Sequence, residues 1–225
     1  GDVNADLLPV GHERGGEWVP AETDVSIRPG WFYHASEDDK VRTPANLEEI
    51  YYSSVGRNTS LLLNLPPDRR GLIHERDVEA LSGFRSILDR TFAKDLAQGA
   101  TIASLQTRGG DEAYSPRNLL KADKSYFATD DEVKSATIEL AFPRSVRFDR
   151  ILLQEQIELG QRVKAFRIEA AIGGNWREIA RGTTIGAKRI ICVPATDAER
   201  LRLVVEDARA CVTLQRLGVF ASPAV

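Results

Sequence analysis

The chain has 225 residues, 42% hydrophobic and 28% charged, with 30 basic residues against 33 acidic ones. A formal net charge of -3 without a Lys/Arg block excludes the electrostatic footprint of a nucleic-acid binder. No apolar run approaches the roughly 20 residues that span a bilayer.

The opening GDVNADLLPVG has no Met, no basic region and no apolar leader core, and the expectation is that the chain continues upstream. In SIRPGWFYH a short strand precedes Pro29-Gly30 and then three consecutive aromatics, Trp31, Phe32 and Tyr33. Thr43 and Pro44 read as a helix cap and first helical residue, with Leu47, Ile50, Tyr51 and Ser54 at helical spacing and Gly56 as a stop. TSLLLNL comes next, an uninterrupted apolar run of the kind buried on both faces of a parallel sheet, ended by Pro66-Pro67. A second helix runs from about His74 to Arg90, with Val78, Leu81, Phe84 and Leu88 along one face. Helix, buried strand, loop and helix is the repeating unit of a (β/α) barrel, which needs roughly 250 residues; residues 1–93 supply at most two such units. They form an incomplete barrel segment, expected to be less ordered than residues 94–225.

Residues 94–225 change rhythm. ATIEL, RFDRILLQE, AFRIEAAI, REIARG, RIICV, RLRLVVE and RLGVF predict seven or eight short strands, and Gly173-Gly174-Asn175 predicts a hairpin. The fold class is therefore α/β plus all-β, the second part a β-sandwich of jelly-roll type. Cys192 and Cys211 both fall in apolar strand-like runs and read as buried free thiols, with a disulfide as the alternative.

The stretch from Trp18 to His34, WVPAETDVSIRPGWFYH, and that from Ser53 to Ile73, SSVGRNTSLLLNLPPDRRGLI, resemble glycoside hydrolase family 29, the retaining α-L-fucosidases. The remainder, with DLAQGATIAS, RNLLKADKSYFAT and LQRLGVF, is similar to the discoidin-like modules appended to such enzymes. The resemblance implies a bacterial, periplasmic or extracellular exo-enzyme that removes terminal α-1,3/1,4-linked L-fucose, with a fucosylated oligosaccharide or glycoconjugate as its partner. Retaining hydrolysis needs a nucleophile and an acid/base carboxyl about 5–5.5 Å apart. By resemblance the nucleophile lies on an upstream barrel strand and the acid/base just before Gly1-Asp2, so the chain is expected to be inactive alone. Glu17 and Glu22 are the fallback acid/base candidates.

The resemblance makes Trp31 the residue facing the fucose methyl, with Phe32, Tyr33 and Arg28 completing the substrate-binding set. Phe32 and Tyr33 cannot both point with Trp31, so at least one is expected in the core. Arg28 equally reads as a structural ion pair with Glu22 or Asp24, and His34 as a surface or capping residue. Arg57 and Asn58 fall before the last strand, and Asn64 and Asp68 at or beyond its catalytic end. In the sandwich, Tyr126 and Trp176 are candidate sugar platforms or core anchors. No cofactor is expected. The calcium loop of discoidin-like modules is here NLLKADKS, in which Lys121 and Ala122 disfavour an oxygen-rich site, leaving Asp123, Asp130 and Asp131 as residual ligands. The alternative function is a lectin-like, carbohydrate-binding module without catalysis.

Overall fold

The computed structural model describes residues 21–223. Two helices and a two-stranded parallel sheet come first: β1 (Glu22–Ser26), α1 (Pro44–Ser53), β2 (Ser60–Asn64) and α2 (Glu75–Phe92). Thr43 Oγ1 accepts the Asn46 N–H at 3.2 Å and caps α1, with Pro44 in its first turn. The helix ends at Ser53, and the Gly56 N–H returns to the Tyr51 carbonyl. A Cβ at Gly56 would lie 2.5 Å from the Tyr52 carbonyl oxygen, so only glycine permits this close turn.

β1 and β2 pair from Glu22↔Ser60 to Ser26↔Asn64. The expected burial of the SLLLN run on both faces is not found: Leu62 is 51% exposed. Ile27, Leu47 and Ala80 form a small core joined by Leu63, Leu65, Leu81 and Phe84. The helices thus cover the Leu63 side, and period-two alternation leaves Leu62 on the other. The buried face of α2 is also rotated from the expected one. Asp77 and Ala80 are buried whereas Val78 is 48% exposed, because Asp77 is drawn inward by the guanidinium of Arg28.

The remaining strands are β3 (Thr101–Ala103), β4 (Phe127–Ala128), β5 (Ala136–Glu155), β6 (Val163–Ile172), β7 (Asn175–Gly182), β8 (Arg189–Ala208) and β9 (Thr213–Phe220). Their order is β4-β9-β5-β8-β6-β7, with β3 on β5. The expected separate segments ATIEL and RFDRILLQE are one 20-residue strand, β5, and RIICV and RLRLVVE likewise share β8. The β5–β8 ladder breaks beyond Ala141 and resumes at Val146, with a second break between Phe148 and Arg150. Pro143 and Pro194, which lack an N–H to donate, fall in these gaps. The first half of β5 pairs with β3 and the second half of β8 with β6, while the second half of β5 lies between the first half of β8 and β9. Two layers result, enclosing a core that includes Phe127, Ile138, Leu140, Phe148, Ile151, Leu153, Leu201, Leu203 and Leu217. Gly173 (φ +59°) and Gly174 (φ +80°) make the two-residue β6–β7 turn, as the sequence predicts.

Cys192 and Cys211 are both free. Cys211 is buried, but Cys192 is exposed, correcting the strand-core reading: its neighbour Val193 takes the inward position.

The two parts meet along a seam of polar clasps and one aromatic contact, Phe92 of α2 edge-on to Phe220 of β9 at 5.0 Å. Asn58, the one described non-glycine residue at positive φ (+68°), donates from Nδ2 to the Ile185 carbonyl and accepts the Lys188 N–H, both at 2.7 Å. Arg150 of β5 stacks 4.7 Å from the Tyr52 ring centroid, pairs with Asp149 at 3.0 Å and faces Glu48 at 3.6 Å. Burial pushes the Tyr52 phenol up to about 12.

Candidate functional site

The C-terminal ends of β1 and β2 point the same way, and the 27–38 loop closes over them. Ser26 Oγ donates to the Gly30 carbonyl at 2.7 Å. Asn64, the last residue of β2, donates from Nδ2 to Ser26 Oγ at 3.1 Å and to the Trp31 carbonyl at 3.0 Å. The backbone at Gly30 and Trp31 is thereby fixed to both strand ends. The rings themselves stay out: Trp31 is 51% exposed and Phe32 78%. Neither Phe32 nor Tyr33 enters the core, correcting the expectation that one would.

Behind these rings lies Arg28, with its side chain fully buried. Its Nε donates to Asp77 Oδ2 at 3.0 Å and its Nη1 to Asp38 Oδ1 at 2.9 Å. The expected partners Glu22 and Asp24 are not used, because both lie on the outer side of β1, and burial also removes Arg28 from a substrate-facing position. Burial pulls against the guanidinium's charge, but the hydrogen bonds to Asp77 and Asp38 outweigh it and hold its pKa above the ordinary value.

Tyr33 is half-buried, its ring 4.8 Å from the Arg28 guanidinium and 5.7 Å from the His74 ring. Its hydroxyl donates to Asp38 Oδ2 at 3.4 Å. Burial and the Asp38 carboxylate push its phenol up. His74 Nδ1 accepts the Arg76 N–H at 3.3 Å while Nε2 faces Asp38 at 3.5 Å. His34 is exposed and makes no side-chain capping bond.

Glu22 stands at the start of β1, roughly 13 Å of strand from Ser26, so the structure does not bring it to the aromatic loop. Glu17 lies outside the described residues. Asp68 is buried and is occupied by Arg70, with two guanidinium bonds at 2.6 and 2.9 Å and the Arg70 N–H at 2.7 Å. Asp38, Asp77 and Ser26, which hold the loop in place, escape a sequence reading. Asp77 interrupts an apolar helix face, and that interruption was the available signal.

In the sheet domain, Trp176 lies under Arg202 at 4.3 Å and Arg200 at 5.3 Å, so its ring is occupied by cations. Tyr126 meets Tyr114 edge to face at 5.6 Å, and Arg108 lies 5.7 Å from the Tyr114 ring. Lys121 Nζ donates to Asn118 Oδ1, Asp123 accepts the Ser125 N–H, Asp130 accepts the Gly109 N–H, and Asp131 pairs with Arg108. Among the described residues no three His, Cys, Asp or Glu side chains are grouped to hold a metal. No described helix is long and apolar enough to cross a membrane.

No family model matches the chain. It is 38% identical over 227 residues to alpha-L-fucosidase 1 of Arabidopsis thaliana, covering 98% of this chain and 44% of that protein. A protein of Oryza sativa subsp. japonica, provisionally given the same name, is 42% identical over 223 residues, covering 98% and 43%. A Ruminococcus gnavus family 29 fucosidase, solved with fucose, superposes at a TM-score of 0.89 with 31% identity over 95% of this chain and 43% of that one. A chitosan-binding module of a Paenibacillus chitosanase/glucanase shares only the fold, at a TM-score of 0.50 and 16% identity over 56% of this chain. The chain spans less than half the length of the relatives it matches. Similarity of this degree runs through almost all of its residues, so the chain is a homologue of part of the proteins named alpha-L-fucosidase, and its structural neighbours include family 29 fucosidases.

Proposed function

We propose that the chain supplies part of the sugar pocket of a retaining exo-α-L-fucosidase acting on terminal α-1,3/1,4-linked fucose of oligosaccharides or glycoconjugates, in the periplasm or outside the cell. In this reading residues 1–93 are the C-terminal segment of the catalytic (β/α) barrel and residues 94–225 a discoidin-like sandwich docked on it. The observation that carries it is the loop pinned by Ser26 and Asn64, which holds Trp31 and Phe32 exposed at the C-terminal ends of parallel strands. Active sites of barrel enzymes lie at that end. L-Fucose carries a methyl at C5 where other hexoses carry a hydroxymethyl, and the Trp31 ring offers that methyl an apolar wall, with Phe32 beside it.

The catalytic carboxyl pair is assigned upstream, with Glu17 rather than Glu22 as the fallback proton donor. Two carboxyl groups provide both nucleophile and proton, so the reading assigns no cofactor and no calcium.

The test has two arms. The purified 225-residue chain is expected to hydrolyse neither an aryl fucoside nor a branched fucosylated trisaccharide; turnover would place the carboxyl pair inside it. In a longer active polypeptide carrying this chain, Trp31→Ala should weaken inhibition by free L-fucose about tenfold, since an apolar contact of this size discriminates by about 1–3 kcal/mol. An unchanged inhibition constant would remove Trp31 from the pocket.

A second reading, carbohydrate binding by the sandwich without catalysis, is favoured by the fold it shares with a chitosan-binding module. Saturable binding of an oligosaccharide to the chain, abolished by Tyr126→Ala and indifferent to Trp31→Ala, would establish it.

A further inference from the structure

We propose that Arg28 and Asp77 act as a positioning pair for the aromatic loop, transmitting the placement of the first turns of α2 to the presentation of Trp31. The proposal rests on the reading of Trp31 as a sugar wall. Neither residue reaches the open surface: both side chains are fully buried. From that position Arg28 gathers the far limb of the loop. Its Nη1 binds Asp38, its guanidinium stacks on Tyr33, and the His34 carbonyl lies 3.5 Å from Nη1. The near limb is fixed independently by Ser26 and Asn64. Trp31 and Phe32 therefore sit between two clamped limbs, one tied to the strand ends and the other to α2. An exposed ring on an untied loop would lose side-chain and backbone freedom on binding sugar; a clamped one has lost it already.

The buried pair is a poor device for stability alone. Removing two charges from water is costly, and apolar replacements of similar volume are often neutral or stabilising. Among the described residues, the buried Arg28 Nη2 and Asp77 Oδ1 moreover have no hydrogen-bond partner. A pair kept under these terms is explained by the geometry it imposes on its neighbours.

This logic supplies the experiment, made in a longer fucosidase-active polypeptide carrying this chain. The double variant R28M/D77L replaces the pair with apolar side chains, which should preserve the fold and release the far limb. The expected result is a melting temperature within a few degrees of the parent, a fucose inhibition constant and KM raised about tenfold, and kcat changed less than twofold. Loss of a contact made equally to substrate and transition state gives this split. R28K keeps one charge contact to Asp77 but not the fork to Asp38, and should show the same split at about threefold. Trp31→Ala, measured in parallel, separates the two claims. If it weakens fucose inhibition while R28M/D77L and R28K leave it unchanged, the positioning role is overturned and the sugar wall stands. If Trp31→Ala has no effect, both fall. Should R28M/D77L not fold, R28K decides: parental KM and inhibition in that variant overturn the proposal.

Discussion

Asp68 shows how far a residue's role can differ from its place in the sequence. It comes after Pro66-Pro67 beyond the C-terminal end of β2, yet its oxygens are spent on Arg70 and the backbone of its own turn. The Arg70 guanidinium holds its carboxyl down at about 2, against an ordinary value of 3.8. Because the folded value is the lower one, the stabilisation is present above the unfolded pKa and is lost as pH falls from about 4 through about 2. A carboxyl-carbon NMR titration should find the Asp68 midpoint near 2, and Arg70→Ala should return it toward 3.8; a native midpoint near 4 would mean that the turn does not hold this geometry in solution. At this scale the site was half legible. The exposure of Trp31 followed from the resemblance, whereas the succession of three aromatics predicted a core place for Phe32 or Tyr33 that neither takes. The burial of Arg28 could not be read, because it depends on Asp77, 49 positions away along the chain.

Asn58 shows how one turn residue can join two elements. Between α1 and β2 it adopts the left-handed conformation, and its amide bridges the Ile185 carbonyl and the Lys188 N–H in the loop before β8. Gly186 in that loop also has positive φ (+67°), and a Cβ there would lie 2.4 Å from the Asn58 amide nitrogen. Asn58→Gly retains the backbone conformation but deletes both amide bonds. It should cost about 1–3 kcal/mol in urea unfolding, at about 1 ± 0.5 kcal/mol per hydrogen bond plus the extra chain entropy of glycine. Gly186→Ala should cost at least as much, through strain at φ > 0 and the collision with Asn58. Unchanged midpoints in both would make the clasp incidental. The elements were legible where the signal is local: the Thr43-Pro44 cap, the paired glycines of the β6–β7 turn, and the alternation in β6. They were misread where neighbours decide. Composition and alternation register neither that ATIEL and RFDRILLQE are one bent strand nor that α2 rotates to bury a charge, since both depend on pairing across the chain.

Over the whole molecule, stability should be divided as unevenly as the buried apolar residues. The sheet domain encloses a broad core that runs from Phe127 through Leu153 to Leu217, while the α/β part centres on Ile27, Leu47 and Ala80. A parallel sheet is ordinarily covered on both faces, yet Leu62 stands half exposed with Leu72 and Val78. These surfaces fit cover by further barrel strands and helices, as the proposed function requires. Without that cover, residues 21–93 should open at lower free energy than the sandwich, because local opening is easiest where few apolar contacts must be broken. Native-state hydrogen exchange should therefore give β1, β2 and α2 amides protection at least tenfold below those of β5, β8 and β9. The gradient should not be uniform. The C-terminal half of α1 and the turn through Asn58 are tied to the sandwich by Tyr52 against Arg150 and by the Asn58 amide, so their amides should exchange more slowly than those in the first turns of α2, which meets the sandwich at its last residue, Phe92 against Phe220. Adding Asn58→Gly should then accelerate that turn selectively and leave the sheet core unaffected. Equal protection across both parts would show that the small core suffices by itself and that the exposed Leu62 face needs no further chain to cover it.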